Sequence, residues 1–313
     1  MFRNLRLYQL ESAWPETETD LSDRLAQAAF KPCGSFSELS AGWEPPVRAA
    51  LTSSGQSAVS DEVAEALSRR IGGADLLRLR LQSRLLPPAA VNEALEERIA
   101  DFQQRMLRAP GRREKRNLKE EVYSELLPKA LLKSDRILGF SLPDEQIIGI
   151  DTTSEKQAER FLDQLRVGLG SLQVRPLQFE QPVVNLLTRV FLGDGPRTFV
   201  TGRECRMQDP AAGGAYVHWS DMELHEASVQ KHVRDGLKID RLAMEFDNCL
   251  GFVLDQQGVM RKLRYLGLDR GAEDAGELAD EDPLARLDAE FYLVTGYLRR
   301  LLGALKQALG GYA

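Results

Sequence analysis

The chain has 313 residues, with 41 Lys and Arg against 47 Asp and Glu, which gives a formal net charge of −6. Hydrophobic residues make up 43% and charged residues 28%, a composition typical of a globular protein and not of a disordered one. No window approaches about eighteen consecutive apolar residues, and the N-terminus lacks the apolar stretch of a signal peptide, so we expect a cytoplasmic protein with no membrane partner. Cys33, Cys205 and Cys249 are widely separated, which indicates reduced thiols.

The segments before residue 88 predict two strands and two helices. They are a strand at 4–10, a helix at 21–30, a helix at 60–71 that ends at Gly72-Gly73, and a strand at 76–86. The last of these reads LLRLRLQSRLL. On a strand, its alternation places Leu77, Leu79 and Leu81 on one face and Arg78, Arg80, Gln82 and Arg84 on the other.

Two helices are predicted to follow, separated by a break at Pro110-Gly111. The stretch around this break, residues 105–119, reads RMLRAPGRREKRNLK and holds seven basic residues against the single acidic Glu114. It therefore carries about +6 in a chain of net charge −6. We predict a protruding basic helical hairpin here.

The second half of the chain predicts hairpins, helices and a meander. A β-hairpin is expected at 136–142 and 146–151, a helix at 154–168 opened by Ser154 and Gln157, and a strand at 174–179. An antiparallel meander is expected at 239–246, 250–255 and 259–266, then an acidic solvated loop at 269–282 and a helix at 284–309. The fold class is α+β, with antiparallel sheets and packed helices. We expect four segments: 1–87, 88–135, 136–182 and 183–313.

The sequence lacks the motifs that several kinds of enzyme require. No Lys follows a Gly, so there is no phosphate-binding loop, and no acidic residue stands two positions before any Lys, as a restriction-type nuclease needs. The remaining candidates for a metal site are His218, His225 and His232, which are spaced by seven residues, and the carboxylates of Asp144, Glu145 and Asp151. The histidines fit an ordinary surface better than a metal site, and the carboxylates fit a turn and a helix entrance. We therefore expect no catalytic residues, no metal and no cofactor.

The basic groups instead suggest contact with nucleic-acid phosphates, although exposed helices and strands are often charged for solubility alone. Besides the 105–119 stretch and the strand arginines, Arg261, Lys262 and Arg264 crowd one predicted strand and Arg241 lies on a neighbouring one. Neutralising several phosphates releases counterions and supplies most non-specific affinity. Few aromatic residues interleave the basic run, which favours duplex DNA over single strands, and no recognition helix stands out.

The sequence resembles the RdgC family of recombination-associated DNA-binding proteins. The resemblance covers most of the chain in order, in the segments MFRNLRLYQL, KPCGS, AGWEPP, SRLLP, NLKEEVYSELLPKA, SEKQAERFLDQLRVGLGSLQVRPL, RLDAEFYLVTGYL and ALGG. It implies a dimer that closes into a ring around duplex DNA, associated with the nucleoid, and that limits the access of RecA to DNA. It also places Arg80, Arg84, Lys129, Arg261, Lys262 and Arg264 on basic family positions. Leu131 stands where the family often has an aromatic residue that helps to close the ring.

The chain departs from the family pattern in four places. Leu81 replaces a usual Lys, Pro110-Gly111 interrupts an expected continuous helix, and residues 53–73 look longer than their equivalent. His218-Trp219-Ser220-Asp221 stands where the family is rich in Arg and Lys. For every phosphate that the protein no longer neutralises there, the salt slope of DNA binding would be smaller by about 0.9.

The expected function is therefore non-sequence-specific binding of double-stranded DNA by a ring-shaped homodimer that is not an enzyme, with RecA affected indirectly through the shared DNA. The expected DNA-binding residues are Arg80, Arg84, Arg105, Arg108, Arg112, Arg113, Lys115, Arg116, Lys119, Lys129, Arg241, Arg261, Lys262 and Arg264, and the expected dimer contact is Leu131. The alternatives are a Mg-dependent exonuclease acting on DNA and a protein-interaction module with a basic docking hairpin.

Overall fold

The computed structural model describes residues 1–47, 65–210, 214–266 and 283–313, and these confirm the α+β class with antiparallel sheets. The strands are β1 (Arg6–Leu10), β2 (Leu39–Trp43), β3 (Ser68–Ile71), β4 (Ala74–Leu85), β5 (Leu131–Leu142), β6 (Ile147–Ile150), β7 (Val174–Pro176), β8 (Phe199–Gln208), β9 (Tyr216–Ser220), β10 (Lys238–Phe246), β11 (Leu250–Asp255) and β12 (Met260–Tyr265). The α-helices are α1 (Glu18–Leu25), α2 (Pro88–Met106), α3 (Arg112–Leu126), α4 (Glu155–Leu169), α5 (Val183–Leu192), α6 (Ala227–Arg234) and α7 (Pro283–Ala308).

The first sheet has the order β2-β4-β5-β6-β1-β7, and β3 pairs with β4 beside this path. Its longest ladder joins β4 to β5 in antiparallel register, from Asp75 opposite Ser141 to Leu85 opposite Leu131. The predicted strand at 76–86 is thus confirmed. The predicted hairpin of 136–142 with 146–151 is confirmed by the antiparallel pairing of β5 with β6, from Gly139 opposite Ile150 to Leu142 opposite Ile147. The strand β5 starts at Leu131, five residues before the predicted start at 136.

The second sheet has the order β12-β11-β10-β8-β9, so the predicted meander is confirmed as β10, β11 and β12. The elements β8, β9, α5 and α6 were not predicted from the sequence. The chain start joins the two sheets, because Leu5 N donates to Met260 O at 2.8 Å and Leu263 N donates to Arg3 O at 2.8 Å. These bonds occupy the β12 edge of the second sheet.

Two apolar cores lie on opposite faces of the first sheet. One core contains Leu77 and Leu79 of β4 together with Trp43 and residues of α1 and α4. The other contains Leu76 of β4, Phe140 of β5 and residues of the second sheet, α5 and α7. Because successive residues of a strand point to opposite faces, β4 contributes to both cores.

The predicted helix at 60–71 is wrong in its last residues, because 68–71 form β3. Residues 48–64 lie outside the described part of the chain, as does the predicted acidic loop at 269–282. Gly72 and Gly73 have positive φ angles of 56° and 72°, so they form the tight turn between β3 and β4. A Gly-Gly pair suits such a hairpin as well as it suits a helix end, and the strand pairing with β4 decides the outcome. Among the described helices, none is long and apolar enough to cross a bilayer.

Two glycines allow aromatic rings to lie directly on the first sheet. A Cβ atom at Gly149 would overlap the Phe140 ring, and one at Gly139 would overlap the Phe161 ring. Phe140 and Phe161 are both fully buried, one in each core. The glycines therefore set how closely each core packs against the strands.

We predict that Gly149→Ala destabilises the protein by about 1–3 kcal/mol, because the added methyl group overpacks a core that has no space for it. The measurement is the free energy of unfolding from a denaturant titration. The control is Gly303→Ala on α7, where a Cβ meets nothing within 4 Å. This control should gain about 1 kcal/mol from helix propensity. Equal stability of wild type and Gly149→Ala would contradict the packing described here.

Candidate functional site: three groups of basic residues

The first group lies on α2 and α3. α2 begins with Pro88 in its first turn and ends at Met106, after which Leu107 adopts the left-handed conformation with φ 54°. α3 begins after Gly111, whose N–H donates to the Glu114 carboxylate at 2.7 Å. The predicted break at Pro110-Gly111 is thus confirmed. Farther along the two helices, Arg98 and Glu125 form an ion pair at 2.5 Å.

The basic side chains of this first group divide into paired and unpaired cations. Four of them have a carboxylate partner: Arg105 with Asp101, Arg108 with Glu114, Arg116 with Glu120 and Lys129 with Glu125. The other four are exposed and have no ion-pair partner among the described residues: Arg112, Arg113, Lys115 and Lys119. These four unpaired cations follow one another on a single helix, α3.

Glu114 stabilises the connection between α2 and α3, residues 107–111. Arg108 donates to both of its carboxylate oxygens, at 2.8 and 2.7 Å. The bond from Arg108 and the bond from the Gly111 N–H lower the pKa of Glu114 to about 2. Glu114 therefore stays ionised at neutral pH and fixes the position at which α3 begins.

Most of the α2–α3 pair lies away from the cores. Its buried residues are Val91 and Leu95 on α2 and Val122 on α3, and no residue from 96 to 121 is buried. A groove of about 450 Å³ between the helices is lined in part by Ile99, Lys115 and Lys119. Exposure on this scale leaves the cations free to meet a partner.

The second group surrounds the buried carboxylate of Glu44, whose side chain is 10% exposed. Arg78 and Arg136 approach it at 2.9 and 2.7 Å, and Arg80 at 3.9 Å. The three guanidinium groups and one carboxylate leave about two positive charges uncompensated. Burial lowers the pKa of Arg78 although Glu44 raises it. Arg136 was not selected from the sequence, because its place opposite Arg80 follows only from the β4–β5 register.

Arg80 also has contacts of its own. Its guanidinium lies 4.3 Å from the centre of the Phe30 ring, and its Nη2 donates to Ser134 Oγ at 3.2 Å. Its Nε is buried and has no hydrogen-bond partner in the described part of the chain. Arg80 is thus held in place while retaining an unused donor.

Arg84, which lies on the same strand face, has its donors occupied within the protein. It donates to the carbonyl oxygens of Gly34, Leu127, Pro128 and Ala130 at 3.0–3.3 Å. Three of these carbonyls follow the end of α3. The carbonyls of Leu127 and Gly34 also accept backbone N–H groups, from Ala130 and Ser37, whereas those of Pro128 and Ala130 accept from Arg84. Arg84 therefore fastens α3 to β4. The sequence pattern contained no signal for this role, because the acceptors are backbone atoms.

The third group lies on the second sheet. Arg261 pairs with Asp255 at 3.2 Å and Lys262 with Glu204 at 2.5 Å, whereas Arg264 is exposed and lies over Gly251. Although burial opposes it, the bond from Lys262 helps to lower the pKa of Glu204. The Nε of Arg241 is buried and has no hydrogen-bond partner among the described residues.

A groove of about 610 Å³ runs beside this third group. Its lining includes Lys262 and Arg264, and also Arg3 and Arg203, which were not selected from the sequence. Arg203 pairs with Asp221 at 2.9 Å and with Glu223 at 2.7 Å. The carboxylates therefore reduce the positive charge of this groove.

Leu131 is 77% exposed at the start of β5. It pairs with Leu85 across the β4–β5 ladder, and Leu85 and Leu132 are also exposed. We call Leu85 and Leu131, which share one face of the ladder, the leucine patch; Leu132 points to the opposite face of β5. Neighbouring exposed apolar side chains of this kind mark interaction surfaces more often than scattered ones do.

The described residues contain no group of three or more His, Cys, Asp and Glu side chains that could hold a metal ion. Glu145 pairs with Arg299 at 2.7 Å. Asp151 accepts the N–H groups of Arg3 and Asn4 at 3.1 and 2.7 Å, and burial raises its pKa. These two carboxylates, which were candidate metal ligands in the sequence, thus bind a guanidinium and backbone N–H groups of distant segments of the chain.

The two antiparallel sheets, with basic residues on strands and on a pair of helices, define an α+β protein with several cationic surfaces. The family model described as "Putative exonuclease, RdgC" matches residues 1–312. The chain belongs to the RdgC family, as its resemblance predicted.

Three relatives carry the name Recombination-associated protein RdgC. The one from Stenotrophomonas maltophilia is 33% identical over 98% of this chain and 97% of its own length. That from Shewanella oneidensis is 31% identical over 99% and 97%, respectively. That from Xanthomonas campestris pv. campestris is 33% identical over 98% and 97%.

We predict that Arg84→Ala destabilises the protein by about 1–3 kcal/mol, because the partly buried carbonyl groups of Pro128 and Ala130 lose their donor. Arg112→Ala, which removes an exposed and unpaired cation, should change stability by no more than about 0.5 kcal/mol. Denaturant titration of both variants provides the comparison. Equal effects would show that Arg84 does not fasten α3 to β4.

Proposed function

We propose that this protein binds double-stranded DNA without sequence specificity, as a homodimer that closes into a ring. The observation that carries the proposal is the row of exposed, unpaired cations on α3: Arg112, Arg113, Lys115 and Lys119. Cations held by an internal carboxylate must give up that partner to bind phosphate, whereas these four need not. In this proposal α2 and α3 form the basic hairpin.

The other cations contribute to a smaller extent. The paired cations Arg105, Arg108, Arg116 and Lys129 are solvent-exposed, and exposed ion pairs are weak enough to be exchanged for a phosphate. In the second group, around Glu44, Arg80 adds positive potential. In the third group, Arg264 adds positive potential beside the groove on the second sheet. Arg241, Arg261 and Lys262 complete the proposed surface, while the hydrogen bonds of Arg84 support α3.

The absence of sequence preference follows from the kind of contact. Lysine and arginine bound to phosphates fix a protein on the duplex but do not distinguish base pairs. A ring would turn this surface inward and leave the acidic remainder of the chain outside. This arrangement explains how a protein of net charge −6 can bind a polyanion.

The leucine patch is the proposed dimer contact. A two-fold interface uses the same patch on both copies, so exposed leucines would pack against leucines. Burying them would remove apolar surface from water, which is the main favourable term in most protein association.

The proposed cellular role is to modulate recombination. The relatives described above are named recombination-associated proteins, and a ring that occupies duplex DNA would limit the access of RecA to the same DNA. The protein would then be associated with the nucleoid, and RecA would be affected through the DNA and not by direct contact.

To test DNA binding, Arg112, Arg113, Lys115 and Lys119 are changed together to Glu. Fluorescence anisotropy with two unrelated duplexes of 30 base pairs, at several salt concentrations, gives affinity and salt slope. Wild type should bind both duplexes equally. Because the variant neutralises four fewer phosphates, its slope should be smaller by about 3.6, at about 0.9 per phosphate.

The matched control changes Lys31, Lys156, Lys231 and Lys238 to Glu. These are also exposed and unpaired among the described residues, and the net charge changes equally. If both variants lose affinity equally, overall charge and not the α3 row decides binding. If wild type fails to bind at low salt but captures a protein partner through α3, the surface serves protein interaction.

To test the dimer contact, Leu131→Glu is compared with Val167→Glu, which changes an exposed apolar residue on α4. We expect sedimentation velocity to show dimers for wild type and the Val167 variant and monomers for the Leu131 variant. The reason is that the two introduced carboxylates would face each other across the two-fold axis and repel. Dimers in all three samples would place the dimer contact elsewhere.

The family description gives a specific reason to keep a second function, an exonuclease. Its test is release of nucleotides from duplex DNA by pure protein with Mg²⁺ and with EDTA. Release that requires Mg²⁺ and is abolished by Asp144→Asn, or by Asp151→Asn with the melting temperature of wild type retained, would establish the nuclease. Nucleotide release that is unaffected by both substitutions and that separates from this protein on further purification would come from a contaminating nuclease.

A further inference from the structure

The connection between α2 and α3 carries two exposed apolar side chains among its cations. Leu107 is 92% exposed and Met106 is 54% exposed. Arg105 and Arg108 flank them in sequence, and Arg112 and Arg113 follow in the first turn of α3. Removing large apolar side chains from water is favourable, so their presence on the most exposed part of the helix pair indicates a partner that covers them.

The backbone at Leu107 adds to this observation. Its φ of 54° places it in the left-handed region, at the position that follows a helix, where Gly is the usual residue. A leucine here is strained relative to glycine, and the strain persists because the surrounding contacts hold the connection in place. Among those contacts is the Arg108–Glu114–Gly111 network. The fold thus holds Leu107 outward at a cost in stability.

We propose that Leu107, supported by Met106, inserts as an apolar wedge between base pairs of duplex DNA. The inference rests on the proposed DNA-binding function and deepens it by naming a contact with bases. Proteins that bind the minor groove often insert Leu or Met between base steps and so unstack them. Cations that surround the wedge would hold the phosphates on either side.

The dimensions allow this contact. Leu95 is the last buried residue of α2, and at a rise of about 1.5 Å per residue Met106 lies roughly 16 Å farther along the helix. The minor groove is about 7.5 Å deep. The groove is only about 6 Å wide, so the helices, each about 10–12 Å across, would stay outside it. Only the connection that carries Leu107 would enter, at a step that the wedge unstacks and kinks. The length of the projecting part keeps the rest of the protein clear of the duplex.

The charges favour DNA over a second copy of this chain as the partner. A two-fold contact between two such connections would bring Arg112 and Arg113 of both copies close together. Like charges at such an interface repel, whereas the phosphates of DNA attract all of these cations. At the leucine patch, near the other end of α3, the neighbouring Lys129 and Lys133 are each paired with a carboxylate, Glu125 and Asp135, so the repulsion there would be smaller.

The test uses Leu107→Gly, which removes the wedge and also relieves the left-handed strain. Wild type and variant are titrated onto short duplexes that carry 2-aminopurine at single positions, whose fluorescence rises when the base unstacks. We expect a rise for wild type and none for the variant. The anisotropy Kd of the variant should stay within about tenfold of wild type, because the phosphate contacts remain.

Two controls distinguish loss of the wedge from other causes of a missing fluorescence rise. The melting temperature of Leu107→Gly should equal or exceed that of wild type, so that a missing signal cannot come from unfolding. Val167→Ser removes an exposed apolar side chain far along the sequence and should keep the fluorescence rise.

Three results would overturn the wedge: a rise that persists in Leu107→Gly, DNA binding by wild type without any rise, or a change of oligomeric state in the variant, which would make Leu107 a contact between copies. Absence of anisotropy binding by wild type is a different result. It would overturn the proposed function itself, and with it the inference.

Discussion

The antiparallel pairing of β4 with β5 is the constraint on which the rest of the structure depends. Leu77 and Leu79 face one core, while Leu76 and Phe140 face the other. A shift of the register by one residue would exchange these faces, so that each set would leave the core in which it packs and Arg78 and Arg80 would take the positions of Leu77 and Leu79. The same ladder places Arg80 opposite Arg136 and Leu85 opposite Leu131, so the candidate surfaces are fixed by the register that builds the cores.

The uses of the arginines differ although they look alike in sequence. Arg84 donates to backbone carbonyls, Arg78 is half-buried beside Glu44, and Arg112 is exposed without an ionic partner among the described residues. Removing a guanidinium from water without a carboxylate carries a large desolvation penalty, which explains why Arg78 lies beside Glu44. A cation count from sequence therefore overestimates the charge that is available to a partner.

Much of the fold could be predicted where local patterns agree with tertiary contacts. Strict alternation identified β4, the Pro110-Gly111 pair identified the break between α2 and α3, and the meander was found from its spacing. Residues 68–71 were wrongly placed in a helix because Gly72-Gly73 suits either outcome, and only pairing with β4 distinguishes them. α5 was missed although its apolar stripe is strong, since the flanking segments lack a clear alternation.

The candidate site could be predicted only where its residues are contiguous in the sequence. The basic stretch at 105–119 is contiguous, so composition finds it, whereas Arg136, Arg3 and Arg203 come together with other cations only through strand register and loop packing. Carboxylate partners such as Glu44 and Glu204 are also distant in sequence from the cations they neutralise.

Four unpaired cations on α3 would supply a limited, salt-sensitive affinity, because each phosphate contact in such binding is weak and exchangeable. A closed ring would change the part that this affinity plays. In the proposed ring, dissociation from encircled DNA would require the dimer contact to open, so retention would depend on the leucine patch and not on the number of phosphates bound. The proposed division of labour, with charge for contact and apolar burial for retention, agrees with an acidic protein that carries a row of unpaired cations on one projecting helix.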